Sequence, residues 1–226
     1  ANVPVKELYT RCGYNFIAVE EQCAPDPDFS NTKTPNPEEA GAYELSLEYA
    51  ARENADIILV CDPDADRMGV GVKQNGEFVV LTGNQSGAVL IEYILSQLQE
   101  KGMMPENPVM FNTVVTSDLG EKVAEHYGVA TEKTLTGFKY IGEQIKLFEQ
   151  QNTYEYQFGF EESYGCLVGT HARDKDAIVA VMSLCEAAAY YKTKGLTLWD
   201  QMMCIYEKYG YYKEGLATKT LKGMEG

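Results

Sequence analysis

Apolar positions along the chain switch between helical and extended spacing, and the switches predict alternating helices and strands. Residues 4–12 (PVKELYTRC) read as a helix closed by Gly13, and residues 15–20 (NFIAVE) as a strand. A polar, proline-rich loop covers residues 24–36. Asn36 is then a good N-cap, Pro37 suits a first helical position, and Glu38 and Glu39 complement the helix dipole. That predicts a helix to about residue 53. Residues 55–61 (ADIILVC) have the composition of a fully buried strand. Residues 70–73 and 77–81 flank Gln74-Asn75-Gly76, the signature of a hairpin. Gly83-Asn84-Gln85 reads as a cap and turn before a helix over residues 86–99.

Residues 101–108 (KGMMPENP) carry the best linker signal and divide the chain into units of residues 1–104 and 105–226. In the second unit, residues 109–115 and 154–160 read as strands, and residues 118–127 and 138–148 as helices. A long helix is expected over residues 174–194 with Gly195 beyond its end. A last helix over residues 198–208 has Thr197 and Asp200 in capping-box spacing. The fold class is therefore α/β: two consecutive α/β domains, each a small mixed sheet flanked by helices.

Composition narrows the function. The 226 residues carry a net charge of −15, which repels nucleic acid and anionic membrane surfaces but leaves room for a local phosphate site. No run reaches the roughly 18 apolar residues of a membrane helix. The six cysteines are scattered with no Cys-x-x-Cys pair, which predicts reduced thiols in a cytoplasmic protein. The chain opens at Ala1 and runs at once into a helix-like stretch, as expected of a segment of something longer.

The most informative segment is Cys61-Asp62-Pro63-Asp64-Ala65-Asp66-Arg67. Three carboxylates at alternate positions follow the carboxyl end of an apolar strand, the edge at which α/β sheets bind ligands. Their mutual repulsion is relieved by a hard divalent cation, and all-oxygen ligation favours Mg²⁺ or Ca²⁺. A calcium EF-hand is excluded, because Arg67 stands where its glycine belongs and Lys73 where its glutamate belongs. A solvated acidic turn and a phosphatase-type nucleophile at Asp62 are the competing readings. The latter follows the haloacid dehalogenase pattern, which wants Thr or Val at the position of Asp66.

Phe158-Gly159-Phe160-Glu161-Glu162-Ser163-Tyr164-Gly165 places acceptors and a hydroxyl between glycines, which suits a polyhydroxylated ligand; a plain polar turn is the alternative. His171-Ala172-Arg173-Asp174-Lys175-Asp176 opens the predicted long helix, where Arg and Lys make a small phosphate site or a merely charged first turn. Thr136-Gly137-Phe138-Lys139 is a weaker signal. His126 reads as a helix surface or packing residue, and His171 as a ligand contact.

Together these motifs resemble the α-D-phosphohexomutase family, the phosphoglucomutases and phosphomannomutases, and in style its long-chain bacterial branch. Order and spacing fit the family's second and third domains over nearly the whole chain. The resemblance implies reversible exchange of phosphate between hexose 1-phosphate and hexose 6-phosphate, through a phosphoserine and a sugar bisphosphate. It implies Mg²⁺ held by Asp62, Asp64 and Asp66, and Arg67 beside the phosphoserine. Glu161 and Ser163 would hold sugar hydroxyls, with Thr136, Gly137, Arg173 and His171 as further substrate contacts. Lys175 would transfer a proton or meet phosphate.

The departures are equally specific. No Ser-His pair of the nucleophile loop occurs, the Gly-Thr-x-Pro phosphate loop is missing, and Ala177 stands where many relatives have Gly. The first sheet is expected to lack a strand. The fragment is therefore expected to be inactive without domains I and IV of its parent chain. A self-sufficient hydrolase using Asp62 and a non-catalytic sugar- or metal-binding module are the alternatives.

Overall fold

The computed structural model describes residues 1–215. Helix α1 (Asn2–Cys12) ends at Gly13, whose φ of 72° is cheap for glycine. Residues 14–19 do not form the expected strand. They run irregularly into a 3-10 turn (Glu20–Gln22), with Phe16 packed on Tyr9 at 5.0 Å. Among the described residues no strand pairs with this segment, and extended propensity without a partner does not make a sheet. The helix expected from Asn36 is also displaced. Asn36 Oδ1 accepts the Glu38 N–H (3.1 Å), which closes a local turn instead of capping a helix. A 3-10 turn (Ala40–Tyr43) then leads into α2 (Glu44–Glu53).

Strands β1 (Ile57–Cys61), β2 (Met68–Gln74) and β3 (Glu77–Val80) form an antiparallel sheet in that order. The expected hairpin turn is present, with Asn75 and Gly76 both left-handed at φ 52° and 88°. β1 is an edge strand, and only Ile58 in it is fully buried. Its apolar run is explained by helices on both faces: Ile58 packs with α2, while Ile57, Leu59 and Cys61 face α6.

Helix α3 (Gly83–Glu100) starts three residues earlier than expected, because Thr82 and Gln85 form a capping box. The second sheet has order β5-β4-β6-β7. β4 (Pro108–Thr113) runs parallel to β5 (Ala130–Thr134) and β6 (Glu155–Phe160), and β7 (Cys166–Val168) returns antiparallel. The helices of this unit are α4 (Leu119–His126), α5 (Phe138–Gln151), α6 (Ala177–Thr193) and α7 (Leu198–Tyr209). α6 begins three residues later than expected, because Asp176 takes the N-cap and accepts the Ile178 and Val179 N–H groups.

α5 covers one face of the second sheet through Phe138, Ile141 and Ile145 against Val109, Phe111 and Tyr156. The other face, with Met110, Phe158 and Phe160, shares one core with α3, α4, α6, α7 and the Met68, Val70 and Val72 face of β2. The α/β class holds, with two sheets flanked by helices. The first sheet is purely antiparallel and the second mixed. α3, placed before the linker at residues 101–108, packs on α4 and α7 of the second unit. Among the described residues no helix is long and apolar enough to cross a membrane.

Candidate functional site

The acidic loop connects β1 to β2. Asp62 N–H donates to the Arg67 carbonyl (3.3 Å) and Ala65 N–H to the Asp62 carbonyl (3.2 Å), which closes the turn. Asp62 is 2% exposed. Its Oδ1 accepts the N–H groups of Asp66 (3.1 Å) and Arg67 (3.0 Å), and its Oδ2 accepts Arg67 Nε (2.8 Å). Burial pushes the Asp62 carboxyl up, but the backbone and side-chain donors of Arg67 outweigh it and hold the pKa below the usual range. Asp66 moves the other way. Burial raises it and the neighbouring Asp62 adds to the rise, against the pull of Lys175.

Lys175 Nζ lies 2.9 Å from Asp66 Oδ2 and 3.1 Å from Asp174 Oδ1. Burial disfavours its charge, but the two carboxylates prevail and raise its pKa. Asp64 is exposed at the tip of the loop. Carboxylate oxygens of Asp62, Asp64 and Asp66 converge within 4.8 Å of one another, an all-oxygen donor set that fits a hard divalent cation.

The glutamate loop is stitched to the acidic loop. Met68 N–H donates to the Tyr164 carbonyl (3.1 Å), and Arg67 and Gly165 form an antiparallel bridge. Ala177 N–H donates to the Ala65 carbonyl (3.0 Å), so the start of α6 joins the same corner. A Cβ on Gly165 would overlap the stem of Lys175, so the glycine leaves that side chain its room. Glu161 is buried, and its Oε1 accepts the Gly137 N–H (2.8 Å). Gly137 has φ 117°, open only to glycine at low cost. Thr136 beside it is exposed. Glu162, which the sequence pattern did not single out, accepts the hydroxyls of Thr116 (3.0 Å) and Thr113 (3.3 Å). Ser163 is half-buried at the turn and Tyr164 is left-handed at φ 71°.

Two expected contacts lie elsewhere. Arg173 precedes α6 and turns to α5, donating to Glu149 (2.6 Å) and to the Thr170 and Ala172 carbonyls (2.7 and 3.0 Å). His171 pairs with the N-cap Asp176 at 2.8 Å. Neither is in the first turn of the helix, because that helix starts only at Ala177. A groove of about 640 Å³ lined by Asp118, Glu121, Lys122 and Glu125 includes none of these site residues.

Burial, more than any neighbour, raises the Glu161 pKa above the usual carboxylate range, while the Gly137 N–H opposes it. A raised acid binds its proton more tightly folded than unfolded, so its contribution to stability falls as pH rises through that interval. Glu161→Gln keeps an acceptor for Gly137. It should unfold at higher denaturant than the parent at about pH 8, with the gap closing near about pH 4. A gap that widens in acid would contradict this burial argument.

Residues 82–209 match the model of phosphoglucomutase/phosphomannomutase alpha/beta/alpha domain III, and residues 1–76 match that of domain II. The chain belongs to the phosphoglucomutase/phosphomannomutase family. Over 225 residues it is 37% identical to a phosphoglucomutase from Staphylococcus aureus strain MRSA252, covering 98% of this chain and 40% of that protein. The chain thus spans about 40% of the length of the curated relatives it matches.

Solved structures share the fold. A Thermus thermophilus protein assigned as a phosphomannomutase superposes with TM-score 0.68 at 23% identity, covering 91% of this chain and 43% of the other. Paramecium parafusin, a phosphoglucomutase in its open form, gives TM-score 0.60 at 23% identity, covering 84% and 32%.

Proposed function

We propose that this chain supplies the two middle units of a phosphohexomutase that interconverts the 1- and 6-phosphates of glucose or mannose. The observation that carries this reading is the stitching of the Asp62–Asp64–Asp66 cluster to the Glu161 turn through Met68, Tyr164, Arg67 and Gly165. A cation site and a hydroxyl-binding turn then share one wall. Asp66 stands where the haloacid dehalogenase pattern has Thr or Val, which disfavours the self-sufficient hydrolase.

Phosphoryl transfer depends on positioning and on neutralising charge. Asp62, Asp64 and Asp66 would hold Mg²⁺. Such an ion, when bound, stabilises negative charge on the transferring oxygens. Arg67 faces the phosphoserine supplied by a segment outside this chain, where a sugar bisphosphate forms and turns round. Glu161 and Ser163 orient the sugar hydroxyls, with Thr136 and Gly137 beside them. Lys175 moves a proton or meets phosphate. Arg173 and His171 hold the segment that carries Lys175, through Glu149 and Asp176.

In this reading, domains I and IV of the parent chain complete the site, and the unit boundary lies between β3 and α3 rather than at the expected residues 104–105, a placement supported by the family matches over residues 1–76 and 82–209. The enzyme works in the cytoplasm with neither nucleic acid nor membrane as partner. The full-length reading frame with Mg²⁺ and glucose 1,6-bisphosphate should turn glucose 1-phosphate into glucose 6-phosphate, and the 226-residue chain alone should not. Turnover by the isolated chain would overturn the proposal.

A further inference from the structure

We infer that Asn36 and Glu38 are positioning residues that set the guanidinium of Arg67 against the acidic loop; the inference rests on the reading above and adds two residues to its machinery. In sequence they look like the start of a helix, but no helix starts there. Both side chains instead reach Arg67. Nη1 donates to Glu38 Oε1 (2.8 Å) and Asn36 Oδ1 (3.2 Å), while Nε donates to Asp62 Oδ2 (2.8 Å). The guanidinium is therefore held between two carboxylates, one buried in the acidic loop and one from the turn that follows the proline-rich loop.

That turn is itself anchored. Tyr43, fully buried, donates its hydroxyl to the Pro37 carbonyl (2.8 Å). It reaches there because Gly69 has no side chain, as a Cβ on Gly69 would collide with the Tyr43 hydroxyl. Gly69 follows Met68, which is bonded to the glutamate loop. A rigid path thus runs from β2 through Tyr43 and Pro37 to Asn36 and Glu38, and from them through Arg67 to Asp62.

Arginine has many rotamers, and a group fixed in advance loses less freedom when it meets a phosphoryl oxygen. Arg67 Nε is also only 3.7 Å from Asp66 Oδ1. Without Asn36 and Glu38 the guanidinium is free to slide onto Asp66 and compete for an oxygen that a cation needs. Nη2 carries no bond to any described residue, so one edge of the fork remains available to an incoming anion.

The test uses the full-length protein. Asn36→Ala with Glu38→Ala should lower kcat by roughly tenfold to hundredfold with KM little changed, as loss of residues that orient ligands does. The same pair in an Arg67→Ala background should add no further loss, since they act through Arg67. Equal losses in both backgrounds overturn the inference.

Glu38→Gln, which keeps an acceptor, should recover most of the activity, and a Glu38→Gln protein as damaged as Glu38→Ala also overturns it. An activity-independent readout is the Arg67 Nε–H signal in protein labelled with ¹⁵N arginine. Its water exchange should quicken about tenfold in the double variant, and an unchanged rate overturns the inference. Absence of mutase activity in the unmutated full-length protein would instead sink the proposed function, leaving the exchange measurement to decide on Arg67.

Discussion

Asp62→Ala should cost the fold about 3 kcal/mol and weaken divalent-cation binding by at least about tenfold. Two effects oppose each other at this residue. Removing one of three clustered carboxylates relieves repulsion with Asp66, which favours the variant. Yet the Asp66 and Arg67 N–H groups and Arg67 Nε all lose their acceptor in a buried corner. Lys175 already offsets the repulsion at 2.9 Å from Asp66, so the lost hydrogen bonds dominate. The Asp62 pKa is depressed in the fold, so its stabilisation is present above the ordinary carboxylate range and is lost as pH falls through the folded value. Denaturant unfolding should therefore show a large gap between variant and parent at neutral pH that narrows in acid. Asp64→Ala is the control. Its side chain is exposed, so stability should move by less than about 0.5 kcal/mol while titration with Mn²⁺ still shows weaker binding. Equal stability losses in the two variants would refute the distinct structural role given to Asp62.

The sequence carried more of the site than of its surroundings. Asp62, Asp64 and Asp66 were legible because alternating carboxylates after an apolar strand have few stable arrangements, and Glu161 because glycines frame it. The Asn75-Gly76 hairpin and the Thr197–Asp200 capping box were legible for the same reason: the local chemistry closes on itself. What escaped depends on partners distant in sequence. β5 is a polar edge strand (ATEKT) held by pairing with β4, and β7 is only three residues long. The strand expected over residues 15–20 has the composition but no partner strand among the described residues. Asn36 and Glu38 satisfy every local rule for a helix start, and only the approach of Arg67, 31 and 29 positions later in the chain, gives them another use. Thr113 and Thr116 gripping Glu162 could not have been found from spacing, since the pairing exists only after β4 and β6 lie side by side.

Gly83→Ala should destabilise the protein by about 3 kcal/mol, against what helix propensity alone requires. Gly83 opens α3, and alanine there is favoured intrinsically by up to about 1 kcal/mol. The surroundings reverse the sign. A Cβ would lie 2.7 Å from the Glu162 carbonyl carbon and 2.8 Å from the Tyr164 nitrogen, and would overlap the Glu162 oxygen. These are backbone atoms, so no rotamer change relieves the contact. Either α3 withdraws, opening the core around Ala88, Val89 and Ile91, or the glutamate loop shifts and strains Glu162 against Thr113 and Thr116. In the second case the Met68–Tyr164 bond that stitches the two loops is displaced too. Gly102→Ala separates this clash from conformational strain. Gly102 has φ 65° with no described atom within 4 Å of its missing side chain, so only the left-handed backbone matters and the loss should be about 1 kcal/mol. If Gly83→Ala instead matches or exceeds the parent in thermal unfolding, the helix does not abut the loop. The glutamate turn would then lose the wall that fixes its place beside the three aspartates.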